Sequence, residues 1–197
     1  MSTVLLIDGE NFKGKIKQVF NDTTGERVVW HEYDFRGLLN EALDGKSIDR
    51  TVFYFGRLKE YSESLEKSRQ LIKEQRLLKT HLESLGFEVV LAGRVRRQQD
   101  GGSGESAVFK EKGVDVKIAV DMITLACDDT AREIILGSSD SDLQPAIKEV
   151  RHRDVACVYL GFEMQPNKGM MYTTSQAILI RNSEVLEYRR IQESLLG

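Results

Sequence analysis

The sequence predicts an α/β protein with three layers, α/β/α, built on a central and mostly parallel β-sheet. Short apolar runs alternate along the chain with amphipathic helical stretches, which is the order of repeated strand–helix units. Two of the runs, Thr3–Ile7 and Ile134–Leu136, are continuously apolar. Continuous runs are typical of central parallel strands that are covered on both faces.

Composition limits the class of protein. The chain has 197 residues, 41% of them hydrophobic and 30% charged, which indicates one globular domain over residues 1–197. The formal net charge of -3 excludes a uniformly basic nucleic-acid binder, so any such binding needs a local patch. Neither a membrane-spanning run nor an opening signal peptide is evident, and a cytoplasmic location is expected. Cys127 and Cys157 are predicted to be buried thiols.

The first half of the chain is predicted to hold three strands and two helices. The first strand, residues 3–7, ends in Asp8-Gly9-Glu10-Asn11, and residues 13–26 are predicted to be polar and irregular. Asp34 is a candidate N-cap for a helix that reaches Leu43. Residues 50–56 and 87–92 form the next strands, with a long helix over residues 60–85 between them. His81 lies among charged residues of that helix, so we expect it at the surface.

A basic and glycine-rich segment follows the third strand. Residues 100–106 are rich in Gly and Ser, which predicts a flexible loop at the carboxyl edge of the sheet. Basic residues flank this loop on both sides and are suited to phosphate groups: Arg94, Arg96, Arg97, Lys110 and Lys112. An ordinary surface loop is the alternative.

The second half repeats the strand–helix pattern. Asp115 is in the first turn of a mainly apolar helix, where the helix dipole alone could explain an acid. Asp121 follows Lys117 by four residues, which is the spacing of a helix-surface ion pair. The Ile134–Leu136 strand ends in Gly137-Ser138-Ser139-Asp140-Ser141-Asp142, and a helix and the strand Val155–Leu160 come next. Residues 161–169 are predicted to form another loop at the same edge of the sheet.

Acidic side chains recur at the predicted carboxyl edge of the sheet, where open α/β sheets bind their ligands. Asp8 and Asp140 end strands, Asp115 begins a helix, and Asp142 adds a further acid. Like charges held close together raise each other's proton affinity, and a bound cation compensates for them. Oxygen ligands alone favour Mg²⁺ or Mn²⁺ over zinc. Such ions commonly assist attack on a phosphodiester.

Three motifs resemble the NYN branch of the PIN-like nucleases, in particular its stand-alone bacterial members. They are Leu6-Ile7-Asp8-Gly9-Glu10-Asn11, Lys112-Gly113-Val114-Asp115 with Asp121, and Ser138-Ser139-Asp140-Ser141-Asp142-Leu143. The resemblance covers a core of about residues 3–160, with residues 161–197 as a C-terminal extension. It implies a PIN-like, Rossmann-like fold and metal-dependent RNA cleavage.

The resemblance also implies roles for single residues. Asp8, Asp115 and Asp140 would bind the metal, and Asp142 would be a further ligand or would hold water. Asn11 would orient Asp8 or a phosphate, and Asp121 matches an acid common in the family pattern.

We therefore expect a metal-dependent endoribonuclease that acts on single-stranded or looped RNA, without a membrane partner, and a homodimer is one option for its assembly. Two alternatives stay open. One is a Toprim-like site that uses Glu10 with Asp140 and Asp142 and leaves Asp115 without a role. The other is a non-catalytic module of the same fold that binds RNA or a protein, because a fold does not determine function.

Overall fold

The protein is described by a computed structural model over residues 1–60, 65–99 and 107–190. The predicted glycine- and serine-rich loop, residues 100–106, lies outside these ranges. The strands are β1 Ser2–Asp8, β2 Arg50–Gly56, β3 Glu88–Ala92, β4 Arg94–Gln99, β5 Ala107–Lys112, β6 Ala131–Gly137, β7 Ala156–Phe162 and β8 Gln176–Ile180. The helices are α1 Gly9–Thr23, α2 Phe35–Ala42, α3 Leu65–Ser84, α4 Val114–Cys127, α5 Gln144–His152, α6 Lys168–Thr173 and α7 Asn182–Glu187.

The main sheet has six strands in the order β3-β2-β1-β6-β7-β8, and all neighbours pair in parallel. The predicted three-layer α/β/α fold is confirmed. The chain builds one half of the sheet outward from β1 to β3 and the other half outward from β6 to β8. The strand order therefore reverses between β1 and β6, and a crevice that can bind ligands forms at the carboxyl ends of strands at such a point.

Each face of the sheet buries its own apolar core. Alternate residues of β1 point to opposite faces, so Leu5 and Ile7 belong to one core and Val4 and Leu6 to the other. The first core is closed by α1, α2, α3 and α7, and the second by α4, α5 and α6. The continuous apolar runs of the sequence thus have the expected cause, which is coverage on both faces.

Helix α1 occupies most of the segment predicted to be irregular, so that prediction is wrong. Its buried side chains include Phe12, Ile16, Val19 and Phe20, which follow the spacing of one helix face. Gly14 meets no neighbouring atom within 4 Å of a built Cβ, so it lies on the open side of the helix and interrupts nothing. The polar residues that suggested a loop form the solvent face.

Two further predictions about burial are wrong. His81 is 8% exposed, and its Nε2 is 2.8 Å from the backbone oxygen of Tyr33. Its neighbours along α3 are charged, but the helix turns this one position toward the core. Cys157 is buried as predicted, whereas Cys127 at the end of α4 is exposed and accepts a hydrogen bond from Arg153 Nε at 3.1 Å.

The basic flanks of the predicted loop form an antiparallel hairpin, β4 with β5. Two glycines with positive φ, Gly93 at +62° and Gly113 at +93°, stand at its base. A Cβ at Gly93 would lie 2.0 Å from the Lys112 carbonyl oxygen, so only glycine allows the two ends of the hairpin to meet. Within the described ranges, no helix is long and apolar enough to cross a membrane.

Candidate active site

Asp8 ends β1 and begins α1. Its Oδ1 accepts a hydrogen bond from the backbone N–H of Asn11 at 3.1 Å, which caps the helix. The turn is tight because the ring of Phe55 lies against Gly9, where a Cβ would come within 2.1 Å of the ring. Asp8 as a whole is only 6% exposed and is thus fixed at the carboxyl edge of the sheet.

The surroundings of Asp8 oppose its charge. Burial is the main cause that raises its pKa from 3.8 to about 6, and the hydrogen bond from Asn11 acts in the opposite direction. The charges of Asp115, Glu10 and Asp140 raise the pKa further. Asp8 therefore lies in the electrostatic field of two of its predicted partners, which come from other elements. Strongly shifted acids in a crevice are typical of functional sites.

The turn after β6 brings the second group of acids. Asp140 Oδ1 accepts from the backbone N–H of Asp142 at 2.9 Å, which caps the 3-10 turn Ser141–Leu143. The buried hydroxyl of Ser138 accepts from the Asp140 N–H at 3.2 Å and lies 3.5 Å from Asp8 Oδ2, to which it can donate. Ser138 thus links Asp8 to the Asp140 turn, a role that the sequence did not suggest.

Asn11 also connects these two turns. Its side-chain oxygen accepts from the backbone N–H of Ser139 at 3.0 Å, while its own backbone N–H binds Asp8. The predicted role was to orient Asp8 or a phosphate. The structure places the Asn11 amide between α1 and the turn after β6, so the two strand ends are held at a fixed separation.

Two residues beyond the predicted set complete this network. The hydroxyl of buried Tyr159, on β7, is 2.9 Å from Ser139 Oγ and accepts from the Asn167 N–H at 3.3 Å. Asn167 Nδ2 donates to Ser139 O at 2.8 Å and to Ser141 Oγ at 3.0 Å. Sequence reasoning placed the 161–169 loop at this edge but did not single out Asn167. Its position as the N-cap of α6 is a signal that could have found it.

Asp115 approaches the acids from the first turn of α4. Burial is the main cause that raises its pKa, and the charges of Asp140 and Asp142 raise it further. The Gly113 turn at the base of the hairpin fixes where α4 begins and so where Asp115 lies. The structure therefore brings Asp8, Asp115, Asp140 and Asp142 into one electrostatic environment.

Asp121 is engaged elsewhere. It lies along α4 beyond Asp115, accepts a hydrogen bond from Tyr54 OH at 2.8 Å and forms an ion pair with Lys117. Its charge is not among the causes that shift the pKa of Asp8 or Asp115. The contacts of Asp121 join α4 to β2 and match the helix-surface pair that its spacing suggested.

The predicted nucleic-acid-binding residues fall on the hairpin in an ordered way. Register pairs Arg94 with Lys112 and Arg96 with Lys110, whereas Arg97 is opposite Phe109. Residues alternate between the two faces of a hairpin, so the four paired basic residues share one alternation set, next to the start of α4. Arg97 belongs to the other set.

The donor chemistry of the site fits a hard divalent cation, because the candidate ligands are carboxylates. The raised pKa values of Asp8 and Asp115 come partly from neighbouring acids, and a cation would relieve that repulsion. Among the residues that the structure describes, no three His, Cys, Asp or Glu side chains form a ready-made metal cluster. The fit is therefore one of charge and ligand type rather than of finished coordination geometry.

Comparison with known proteins gives a family for these features. A sequence model of the NYN domain matches residues 2–179. A solved structure of a protein of unknown function from Vibrio parahaemolyticus is similar, with a TM-score of 0.52 and 18% identity over 90% of this chain and 91% of that chain. At this identity the likeness supports the fold alone. No curated protein matches the chain.

Proposed function

This chain belongs to the NYN domain family, whose members are generally nucleases that bind RNA, and we propose that it is a divalent-metal-dependent endoribonuclease. Its substrate would be single-stranded or looped RNA. The observation that carries the proposal is the shared electrostatic environment of Asp8, Asp115 and Asp140 at the point where the strand order reverses.

In this proposal Asp8, Asp115 and Asp140 hold Mg²⁺ or Mn²⁺, and Asp142 is a further ligand or positions water. Such an ion, when bound, supplies Lewis-acid activation of water and charge neutralisation at a phosphodiester. The chain supplies rigidity: Ser138 and Asn11 tie the two acid-bearing turns together. Preorganised acids of this kind avoid rearrangement at the moment of reaction.

The hairpin would bind the phosphate backbone. Arg94, Arg96, Lys110 and Lys112 occupy facing register positions in a protein whose overall charge is negative. A single strand contacts such a local patch through several phosphates, and the binding depends strongly on salt. The acids and the basic hairpin meet at the start of α4, which suits a substrate that is itself a polyanion.

The experiment is cleavage of single-stranded RNA in Mn²⁺ by the wild type and by Asp140→Asn. The substitution removes one charge with little change in shape, and we expect a loss of about a hundredfold or more. Asp128→Asn is the matched control, because Asp128 caps the other end of α4, away from the acids. Equal rates for the wild type and Asp140→Asn would remove Asp140 from the site.

Two other results would favour the alternatives. RNA binding by the wild type without any product, over several RNAs, would support a non-catalytic module. Loss of activity in Glu10→Gln together with full activity in Asp115→Asn would support the Toprim-like arrangement. Glu10 forms an ion pair with Lys13 at 2.9 Å and its charge also raises the pKa of Asp8, so these two variants decide between the arrangements.

A further inference from the structure

A cavity of about 330 Å³ lies directly beside the candidate active site, between α1, α3 and the end of β2. Glu10, two residues after Asp8, lines it, and so does Phe55, whose ring lies against Gly9. The cavity therefore shares the tight turn that positions Asp8. The cavity thus borders the candidate site on the side of α1.

Aromatic rings form one side of this cavity, which we call the Trp30 pocket. Trp30 is half-buried and stacks on Phe35, with ring centroids 6.5 Å apart and an angle of 25° between the planes. It also packs against Tyr33, with centroids 6.5 Å apart. These contacts with the core hold the indole in place, so it offers a fixed flat surface.

Polar groups surround the rings, and one of them, the Lys13 ammonium, lies over the ring faces. Lys13 Nζ lies 5.2 Å from the centroid of Trp30 and 5.8 Å from that of Phe55, and it is paired with Glu10 at 2.9 Å. Gln75 Nε2 donates to the Gly56 oxygen at 2.8 Å, which orients its amide. A base that stacks on Trp30 would take the place of the Lys13 ammonium, which could then bind an acceptor at the edge of that base.

The size of the pocket suits a single base. Pockets for small ligands span about 300–1,000 Å³, and a volume of about 330 Å³ is at the lower end of that range. The basic hairpin reaches the same region, because Val95 of β4 lines the pocket and its N–H donates to the Arg57 oxygen at 3.1 Å. Val95 belongs to the opposite alternation set from Arg94 and Arg96, so a strand that follows those residues would cross the edge of the hairpin to place a base beside Trp30.

We propose that the Trp30 pocket holds one unstacked base of the RNA, adjacent to the phosphate that the acids receive, and so sets the base preference of the protein. This inference rests on the proposed function and names the part of the substrate that is recognised. Trp30 contributes stacking, the buried ring of Phe55 closes the wall of the pocket, and Lys13, Glu10 and Gln75 contact the base.

Tryptophan fluorescence tests the pocket directly, because Trp30 is the single tryptophan of the chain. Short RNAs made of each base in turn, and a matching abasic strand, are titrated into the wild type in chelator. We expect base-bearing strands to quench the fluorescence, with unequal affinities, and the abasic strand to bind more weakly without quenching. Equal binding by abasic and base-bearing strands would overturn the inference.

Variants then identify the ring. Trp30→Leu should weaken RNA binding about fivefold or more through loss of stacking, while Trp30→Phe keeps most of the affinity. Phe87→Leu is the control, since Phe87 also packs half-buried on the same core but lies next to the start of β3, at the opposite edge of the sheet. The abasic strand should show no further loss with Trp30→Leu, because the stacking partner is already absent.

Losses of the same size in Trp30→Leu and Phe87→Leu would overturn the inference. If Trp30→Leu does not fold, Trp30→Phe and the abasic strand on the wild type still decide the matter. Base-dependent quenching without cleavage in Mn²⁺ would support the pocket while contradicting the nuclease. Cleavage without any base dependence would support the nuclease and contradict the pocket.

Discussion

Asp8 has two roles that act on its charge in opposite directions. As the N-cap of α1 it accepts a hydrogen bond from Asn11, which favours the carboxylate. As a buried acid among other acids it is held at a pKa of about 6, well above the ordinary value of 3.8. The folded protein therefore carries a carboxylate whose charge is unfavourable at neutral pH, which is how a residue that serves a cation would be expected to behave.

This conflict predicts the pH dependence of stability. Because the folded pKa of Asp8 lies above its unfolded value, folding is opposed by ionisation as pH rises from about 4 to about 6. Asp8→Asn cannot ionise, so in chelator it should exceed the wild type in unfolding free energy by on the order of 2–3 kcal/mol at pH 7. The advantage should fade toward pH 4.

Urea unfolding of both proteins over this pH range measures the difference. Asp34→Asn is the control, because Asp34 also caps a helix, α2, by accepting from the Gly37 N–H at 2.8 Å. A constant difference between Asp8→Asn and the wild type from pH 4 to pH 7 would contradict the raised pKa.

At the scale of elements, the hairpin is an addition to the strand–helix repeat. It joins β3 to α4 through Gly93 and Gly113, and it pairs Arg96 with Lys110 and Arg94 with Lys112 across its strands. Such pairing of like charges costs free energy in an isolated hairpin. In the proposed function these positions bind the phosphate backbone of the RNA.

The register separates two sets of basic residues that composition alone cannot distinguish. Arg96→Ala with Lys110→Ala should lower the slope of log affinity against log salt by roughly 1.4, or 0.7 for each lost phosphate contact on single-stranded RNA. Arg97→Ala, opposite Phe109, should change it less. Filter binding in chelator over a salt series measures the slopes. An unchanged slope in the double variant would mean that this set does not contact phosphate.

At the scale of the whole molecule, the acids meet because of the sheet order. Strands β1 and β6 are far apart in the chain but pair in parallel, with Ile7 opposite Gly137, so Asp8 comes beside Ser138. Helix α4 then brings Asp115 from the hairpin side. The candidate site exists only in the folded chain, so a cation that binds there should stabilise the fold.

Thermal melts in chelator and in Mn²⁺ test this coupling. The wild type should gain about 2.7 kcal/mol at a hundredfold excess over the dissociation constant. Asp115→Asn should be more stable than the wild type in chelator and should lose most of that gain. An acid that serves only the helix dipole predicts the opposite sign, a loss of about 0.3–1 kcal/mol.

Asp128→Asn, at the other end of the same helix, should respond to Mn²⁺ as the wild type does. An Asp115→Asn protein that melts below the wild type in chelator, and responds equally to Mn²⁺, would make Asp115 a structural residue of the helix start.

The sequence by itself determined five of the six strands of the main sheet and showed acids at the ends of two of them. Continuous apolar runs predicted the covered strands, and the acids that follow β1 and β6 predicted where a ligand would bind. These features are local, because side-chain periodicity records which faces of an element are buried. Local signals gave wrong predictions where they were mixed. The polar face of α1 suggested an irregular segment, and the charged neighbours of His81 suggested an exposed side chain.

Only the tertiary structure decided which elements are neighbours. The link of Ser138 to Asp8, the network of Tyr159 and Asn167, and the Trp30 pocket join residues from different elements. The periodicity of a sequence does not predict such pairs, because it shows which face of an element is buried but not which other element covers that face. Strand order and register supply that information, and they follow from the packing of the whole chain.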